Sequence, residues 1–195
     1  MKEGRDVPQP KRYEEAPEGF TPCDISSAVN TTYRDELSRD GKGGWTDNGQ
    51  DDDMRFFPTG RTVYLGVPFL VNDDGPVLIA DKEEFADIGR GKGRRPNPKK
   101  LNPWPKSAKL PVSGKAKSVY FLHTAGWMPK SEPVFHYDVE YADGEKVSIP
   151  IRNNREISDW IRPRNSDRMR VAWRGSSYSR SGIGLNMFVW ENPRP

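Results

Sequence analysis

The residues best suited to chemistry in this sequence lie in one short run, Arg39-Asp40-Gly41-Lys42-Gly43-Gly44-Trp45-Thr46-Asp47-Asn48-Gly49, in which two carboxylates bracket three glycines. That composition suits a hard cation. Calcium takes about six to eight oxygen ligands, backbone carbonyls among them, and a glycine-rich turn can fold several carbonyls inward without steric cost. The run is not an EF-hand, which needs acidic or amide side chains at its first, third and fifth positions where this one offers Asp40, Lys42 and Gly44. The alternative is a tight glycine-rich loop whose aspartates cap backbone N–H groups.

A second signal is aromatic. Thr124-Ala125-Gly126-Trp127, Asn153-Asn154-Arg155-Glu156-Ile157-Ser158-Asp159-Trp160 and Ala172-Trp173-Arg174-Gly175-Ser176 set rings beside polar residues between strand-like runs. A sugar has apolar C–H faces and hydroxyl edges, so a ring can stack on the face while amides, carboxylates or guanidinium groups bind the edge. On this reading Trp127 and Trp160 supply stacking, and Asn154, Asp159 and Arg174 supply polar contacts. The competing role for any single tryptophan is core packing, and Trp173 and Trp190 fall inside strand patterns where that role fits best.

Catalytic signatures are missing. No nucleophile elbow, phosphate-binding loop, dinucleotide fingerprint or His-Glu-x-x-His occurs, and His123 and His136 both sit in strand patterns, which suits hydrogen-bonded structural histidines. A single cysteine, Cys23, excludes an intrachain disulfide and a cysteine-built zinc site. From Ile88 to Ser131 the chain has 11 Lys or Arg and no Asp or Glu. The core of that stretch, Arg90–Lys100, is rich in Gly and Pro and reads as a solvated loop. Nucleic acid is an unfavoured partner, because only Trp104 lies near those charges as a stacking ring.

The elements that would position these groups are strands. Phe135, Tyr137, Val139 and Tyr141 alternate with His136, Asp138 and Glu140; Ala142-Asp143-Gly144-Glu145 follows, and then Val147, Ile149 and Ile151 share one parity. This is a β-hairpin signature. Further strands are expected at Thr62–Val71, Val77–Ala80, Lys109–Val112, Ser118–Thr124, Arg170–Arg174 and Leu185–Trp190. Helical character is confined to the short stretches Thr32–Ser38 and Lys82–Ile88.

The 195 residues carry a net charge of only +3, with 6 Trp, 7 Tyr and 8 Phe compensating for few aliphatics, so a folded body is expected. Gly and Pro, 18 of each, favour short strands joined by turns. No apolar run approaches the roughly 20 residues of a membrane helix, and residues 1–19, charged and with Pro8, Pro10 and Pro17, read as a leader or linker. The fold class is therefore all-β: a single β-sandwich or jelly roll over residues 20–195, with short helical turns, long loops and a basic insertion at about 88–106.

Phe20-Thr21-Pro22-Cys23-Asp24-Ile25-Ser26, Asp40-Gly41-Lys42-Gly43-Gly44-Trp45-Thr46-Asp47, Phe57-Pro58-Thr59-Gly60, Gly66-Val67-Pro68-Phe69, Tyr120-Phe121-Leu122-His123-Thr124, Tyr141-Ala142-Asp143-Gly144, Ala172-Trp173-Arg174-Gly175 and Trp190-Glu191-Asn192-Pro193 form an ordered series. From about Phe20 onward it resembles the accessory β-sandwich modules of the galactose-binding-domain-like superfamily, which accompany bacterial extracellular polysaccharide-degrading enzymes. The resemblance implies a jelly roll and a structural calcium ion held by an early loop and a late acidic residue. The matching positions are Asp40, Asp47 and Glu191, with carbonyls of Gly41 to Gly44. It also implies an extracellular or cell-surface setting, and the basic run departs from the family pattern.

Two functions follow as expectations. The first is a non-catalytic carbohydrate-binding module, working alone or within a larger glycoside-degrading enzyme, that takes a polysaccharide or glycan and inserts into no membrane. The second is a structural or adhesive β-sandwich domain that meets other domains or subunits and binds no sugar.

Overall fold

A computed structural model describes residues 7–38, 40, 42, 44–80, 104–112, 114–128 and 132–195. The fold is all-β. Among the described residues, eight strands form two three-stranded sheets and one two-stranded ribbon, and the only helical pieces are 3-10 turns at Ser26–Ala28 and Gln50–Asp52. Where one domain over 20–195 is expected, the chain divides into two compact units: Met1–Lys115 with Gly175–Gly182, and Ala116–Arg174 with Ile183–Pro195.

In the first unit β1 (Lys11–Arg12), β2 (Gly60–Tyr64) and β3 (Val67–Val71) form an antiparallel sheet in that order. The single expected strand Thr62–Val71 is a hairpin, because Leu65 and Gly66 both adopt positive φ, +49° and +84°, the geometry of a two-residue turn that twists with its strands. β1 lies within residues 1–19, the stretch read as a leader or linker: Lys11 pairs with Val63 and Arg12 with Thr62. A two-residue strand carries no periodicity by which sequence could reveal it. The core is aromatic, as the composition requires. Phe57 stacks on Tyr64 at 5.9 Å between centroids and meets Tyr33 edge-on at 5.4 Å, while Trp45, Met54 and Trp104 are buried.

Two other expected strands are irregular. Asn30 takes both backbone groups of Leu78, donating to its carbonyl and accepting from its N–H at 2.8 Å each, so Val77–Ala80 spends its hydrogen bonds on a side chain and not on a ladder. Lys109–Val112 is exposed and contains Pro111, which has no N–H to donate. Thr32–Ser38 is not helical, since the Asp35 N–H donates to Asp53 Oδ2 at 3.0 Å and the Arg34 carbonyl accepts from Gly44 at 2.8 Å. Lys82–Ile88 and the basic run Arg90–Lys100 lie outside the described residues.

In the second unit β4 (Ser118–His123), β7 (Met169–Ser176) and β8 (Ser181–Glu191) form a sheet in the order β4-β8-β7. β7 and β8 run on into Gly175–Gly182, which belongs to the first unit. β5 (Phe135–Glu140) and β6 (Lys146–Ile151) are the hairpin read from sequence, in register from Phe135 opposite Ile151 to Glu140 opposite Lys146. The inward parity of this ribbon faces the sheet. Ile149, Ile151 and Ile157 are buried with Phe188 and Trp190 of β8, and Val119, Phe121, Phe135, Tyr137 and Val147 pack around them. The Phe121 and Tyr137 rings stack at 4.0 Å. Trp173 and Trp190 are both core residues, as their strand positions imply.

Candidate functional site

The glycine-rich run of the first unit closes on itself through short polar contacts. Thr31 Oγ1 donates to the Gly44 carbonyl at 2.7 Å, the Gly44 N–H donates to Thr32 Oγ1 at 2.9 Å, and Thr46 Oγ1 donates to the Asp52 carbonyl at 2.9 Å. Gly44 has φ +55°, and a β-carbon there would land on the Asp35 side chain, so position 44 is restricted to glycine by both conformation and space. Asp47 is also left-handed, at φ +50°, which an aspartate tolerates better than most residues.

This closure brings three carboxylates together. One carboxylate oxygen from each of Asp35, Asp40 and Asp47 lies within 4.8 Å of the other two. Asp35 and Asp47 are buried and Asp40 is half-buried. Two of the carboxylates are also tied into the loop in part: Asp35 Oδ2 accepts from the Gly49 N–H at 2.9 Å, and Asp40 Oδ1 from the Lys42 N–H at 2.8 Å. The other oxygen of Asp35 differs. Asp35 is 0% exposed, and its Oδ1 has no hydrogen-bond partner. Burial pushes the Asp35 carboxyl above the ordinary range; the Gly49 N–H and, more weakly, the Leu37 N–H oppose this, and the Asp47 and Asp40 carboxylates reinforce it. The neighbouring guanidinium does not neutralise the group, because Arg55 is committed to Asp53, with Nη2 at 2.7 Å from Oδ2, and gives Asp35 only a bond to its backbone carbonyl at 3.2 Å.

The three oxygens therefore form a hard, anionic donor set, and Asp35 Oδ1 is its buried, unpartnered member. A divalent cation fits such a set. Two of the three residues, Asp40 and Asp47, are those the sequence singled out. The third is Asp35, where Glu191 was expected; Glu191 is the exposed last residue of β8, opposite Ser118, in the second unit. The expected carbonyl donors Gly41 and Gly43 lie outside the described residues, and the Gly44 carbonyl already accepts from Thr31.

The expected sugar-binding residues all lie in the second unit. Loop 124–128 joins loop 153–162 through a bridge between Ala125 and Asp159 and a bond from the Trp160 N–H to the Ala125 carbonyl at 2.9 Å. Trp160 is 3% exposed, which corrects its assignment as a stacking platform: a ring enclosed on all sides offers no face to a sugar. Asp159 accepts from the Ile161 N–H at 2.9 Å, and Arg174 Nη2 donates to the Pro163 carbonyl at 2.6 Å, so both serve the loop frame. Trp127 is half-buried at φ +49°, and Asn154 is exposed at φ +60°.

His123 is buried and doubly bonded. Its Nε2 lies 2.9 Å from the Glu156 carbonyl, which can only accept, so Nε2 carries the proton and Nδ1, 3.0 Å from the Tyr137 hydroxyl, accepts. Burial pushes the His123 pKa down to about 4 against the opposing pull of the Glu156 bond, which matches a neutral structural residue. His136 is exposed on β5.

No family model, curated protein or solved structure matches the chain.

Proposed function

We propose that this chain is a non-catalytic binding module whose first unit is organised by a calcium ion and whose ligand is a glycan. The observation that carries the reading is Asp35: a wholly buried carboxylate oxygen without a hydrogen-bond partner, in a group of three carboxylate oxygens within 4.8 Å. Leaving a buried charged acceptor unsatisfied costs on the order of 1–3 kcal/mol or more, and a bound cation removes that cost. Asp35, Asp40 and Asp47 would hold the ion, which supplies positive charge that cancels their mutual repulsion. Calcium suits irregular oxygen sets assembled from loops better than magnesium, which demands near-octahedral geometry.

The glycan part of the reading is supported by rings set in polar loops: of the expected set Asn154 is exposed, and Trp127, Asp159 and Arg174 are half-buried. A module of the galactose-binding-like kind, at the cell surface or outside the cell, is the setting in which these features would operate together.

Isothermal titration of calcium chloride into the EDTA-treated full chain tests the ion. The expected result is saturable uptake of one ion per chain, weakened at least about tenfold in Asp40→Asn and in Asp47→Asn. No heat beyond dilution would overturn the reading.

A further inference from the structure

The first unit carries an aromatic surface that the expected sugar-binding set does not include. Phe56 and Tyr178 are 50% and 60% exposed, and their rings stand edge-to-face, 5.3 Å between centroids and 77° between planes. Large rings left this open keep apolar area in water.

Those surroundings are polar and tightly tied. The Arg55 guanidinium lies over the Tyr178 ring, 4.9 Å from its centroid, while the same group grips Asp53 and the Asp35 carbonyl. On the other flank Arg180 forms a two-point pair with Asp52, Nε to Oδ1 at 2.5 Å and Nη2 to Oδ2 at 3.0 Å. Ser177 and Ser179 donate to the Asp51 carbonyl at 2.5 and 2.8 Å. Segment 175–182 is thereby clasped to segment 51–56, and the Tyr178 ring lies against the Arg55 guanidinium beside those bonds.

We infer that Phe56 and Tyr178 form a stacking surface for a pyranose ring of a neutral polysaccharide, with Asp52, Ser179 and Arg180 along its rim to meet hydroxyl groups. The inference rests on the glycan reading of the proposed function and gives that reading a specific site. A sugar is favoured over a protein partner because the two exposed rings are flanked by the Arg55–Asp53 and Arg180–Asp52 ion pairs, and a protein-docking patch has a core depleted of charge. A neutral sugar is favoured because Arg55 and Arg180 are each already matched by an aspartate.

Affinity gel electrophoresis of the full chain with calcium, in gels containing a neutral galactan, a neutral xylan or a neutral β-glucan, tests the site. Wild type is expected to be retarded by at least one of the three. Tyr178→Ala and Phe56→Ala should each weaken that retardation by about tenfold or more, and Tyr178→Phe should keep it, because the ring and not the hydroxyl does the stacking. Both alanine variants replace exposed side chains, so melting temperatures near that of wild type should confirm that they fold. Retardation unchanged in both alanine variants but lost in Trp127→Ala would overturn this site and leave the glycan reading standing. No retardation of wild type in any gel would overturn both, and concentration-dependent dimerisation abolished by Tyr178→Ala would then assign the rings to a protein contact.

Discussion

Asp35 is wholly buried and satisfied at only one of its two oxygens. Replacing it with Asn keeps an oxygen to accept from Gly49 and removes a charge that burial and two nearby carboxylates disfavour. Asp35→Asn should therefore stabilise the calcium-free chain by roughly 1 kcal/mol or more while abolishing its response to calcium, as read by thermal melts with EDTA and with calcium. An unaltered calcium response in this variant would exclude Asp35 as a ligand. A second residue gives a pH signature. His123 has a folded pKa near 4, below the ordinary 6.5, so in that interval the unfolded chain binds a proton that the folded chain does not. Stability then falls as pH drops from about 6.5 to 4, by roughly 3 kcal/mol from this residue. His123→Gln retains a donor for Glu156 and an acceptor for Tyr137 but cannot titrate, and urea unfolding across that interval should show a shallower slope than in wild type. Equal slopes would contradict the account. Asp40 and Asp47 were legible in the sequence because a glycine run between carboxylates marks them, whereas Asp35 was not, because its place in the cluster is set by Asp53, 18 residues away.

The loop that presents the carboxylates depends on Gly44 as a strand depends on its register. Gly44→Ala would force a β-carbon into the left-handed region and onto Asp35, costing at least about 1–3 kcal/mol of stability. Calcium affinity should fall with it, because the displaced neighbour, Asp35, is the proposed buried ligand. Calorimetry on the variant with and without calcium measures both, and a wild-type melt with wild-type affinity would show that the loop is not held as described. Regular elements were readable where side-chain parity and turn chemistry agreed, as in β5 and β6 around Asp143-Gly144. They were misread where a side chain replaced the ladder, as Asn30 does for Leu78. The stacking role expected of Trp160 failed for a related reason. Polar neighbours suggested a surface loop, but the bridge from Ala125 to Asp159 draws the following ring inward. Tyr178 gave no comparable signal, since its place beside Phe56 depends on the pairing of Arg180 with Asp52, two residues remote in sequence.

At the scale of the whole chain, composition set the fold class. A poverty of aliphatics offset by large rings, with Gly and Pro throughout, yields two aromatic-rich units of short strands and long loops. Composition could not show that β7 and β8 run from one unit into the other, nor that residues 11–12 join a sheet. A unit built from loops relies on whatever closes them, and in the first unit the proposed closure is ionic. The most direct test is the thermal melt of the full chain in EDTA against excess calcium, since a ligand bound only by the folded state stabilises by about 2.7 kcal/mol at a hundredfold excess over its Kd. Ionic closure predicts a melting temperature that climbs with the logarithm of calcium concentration and a smaller rise with magnesium. A melting temperature identical in EDTA and in saturating calcium would contradict it.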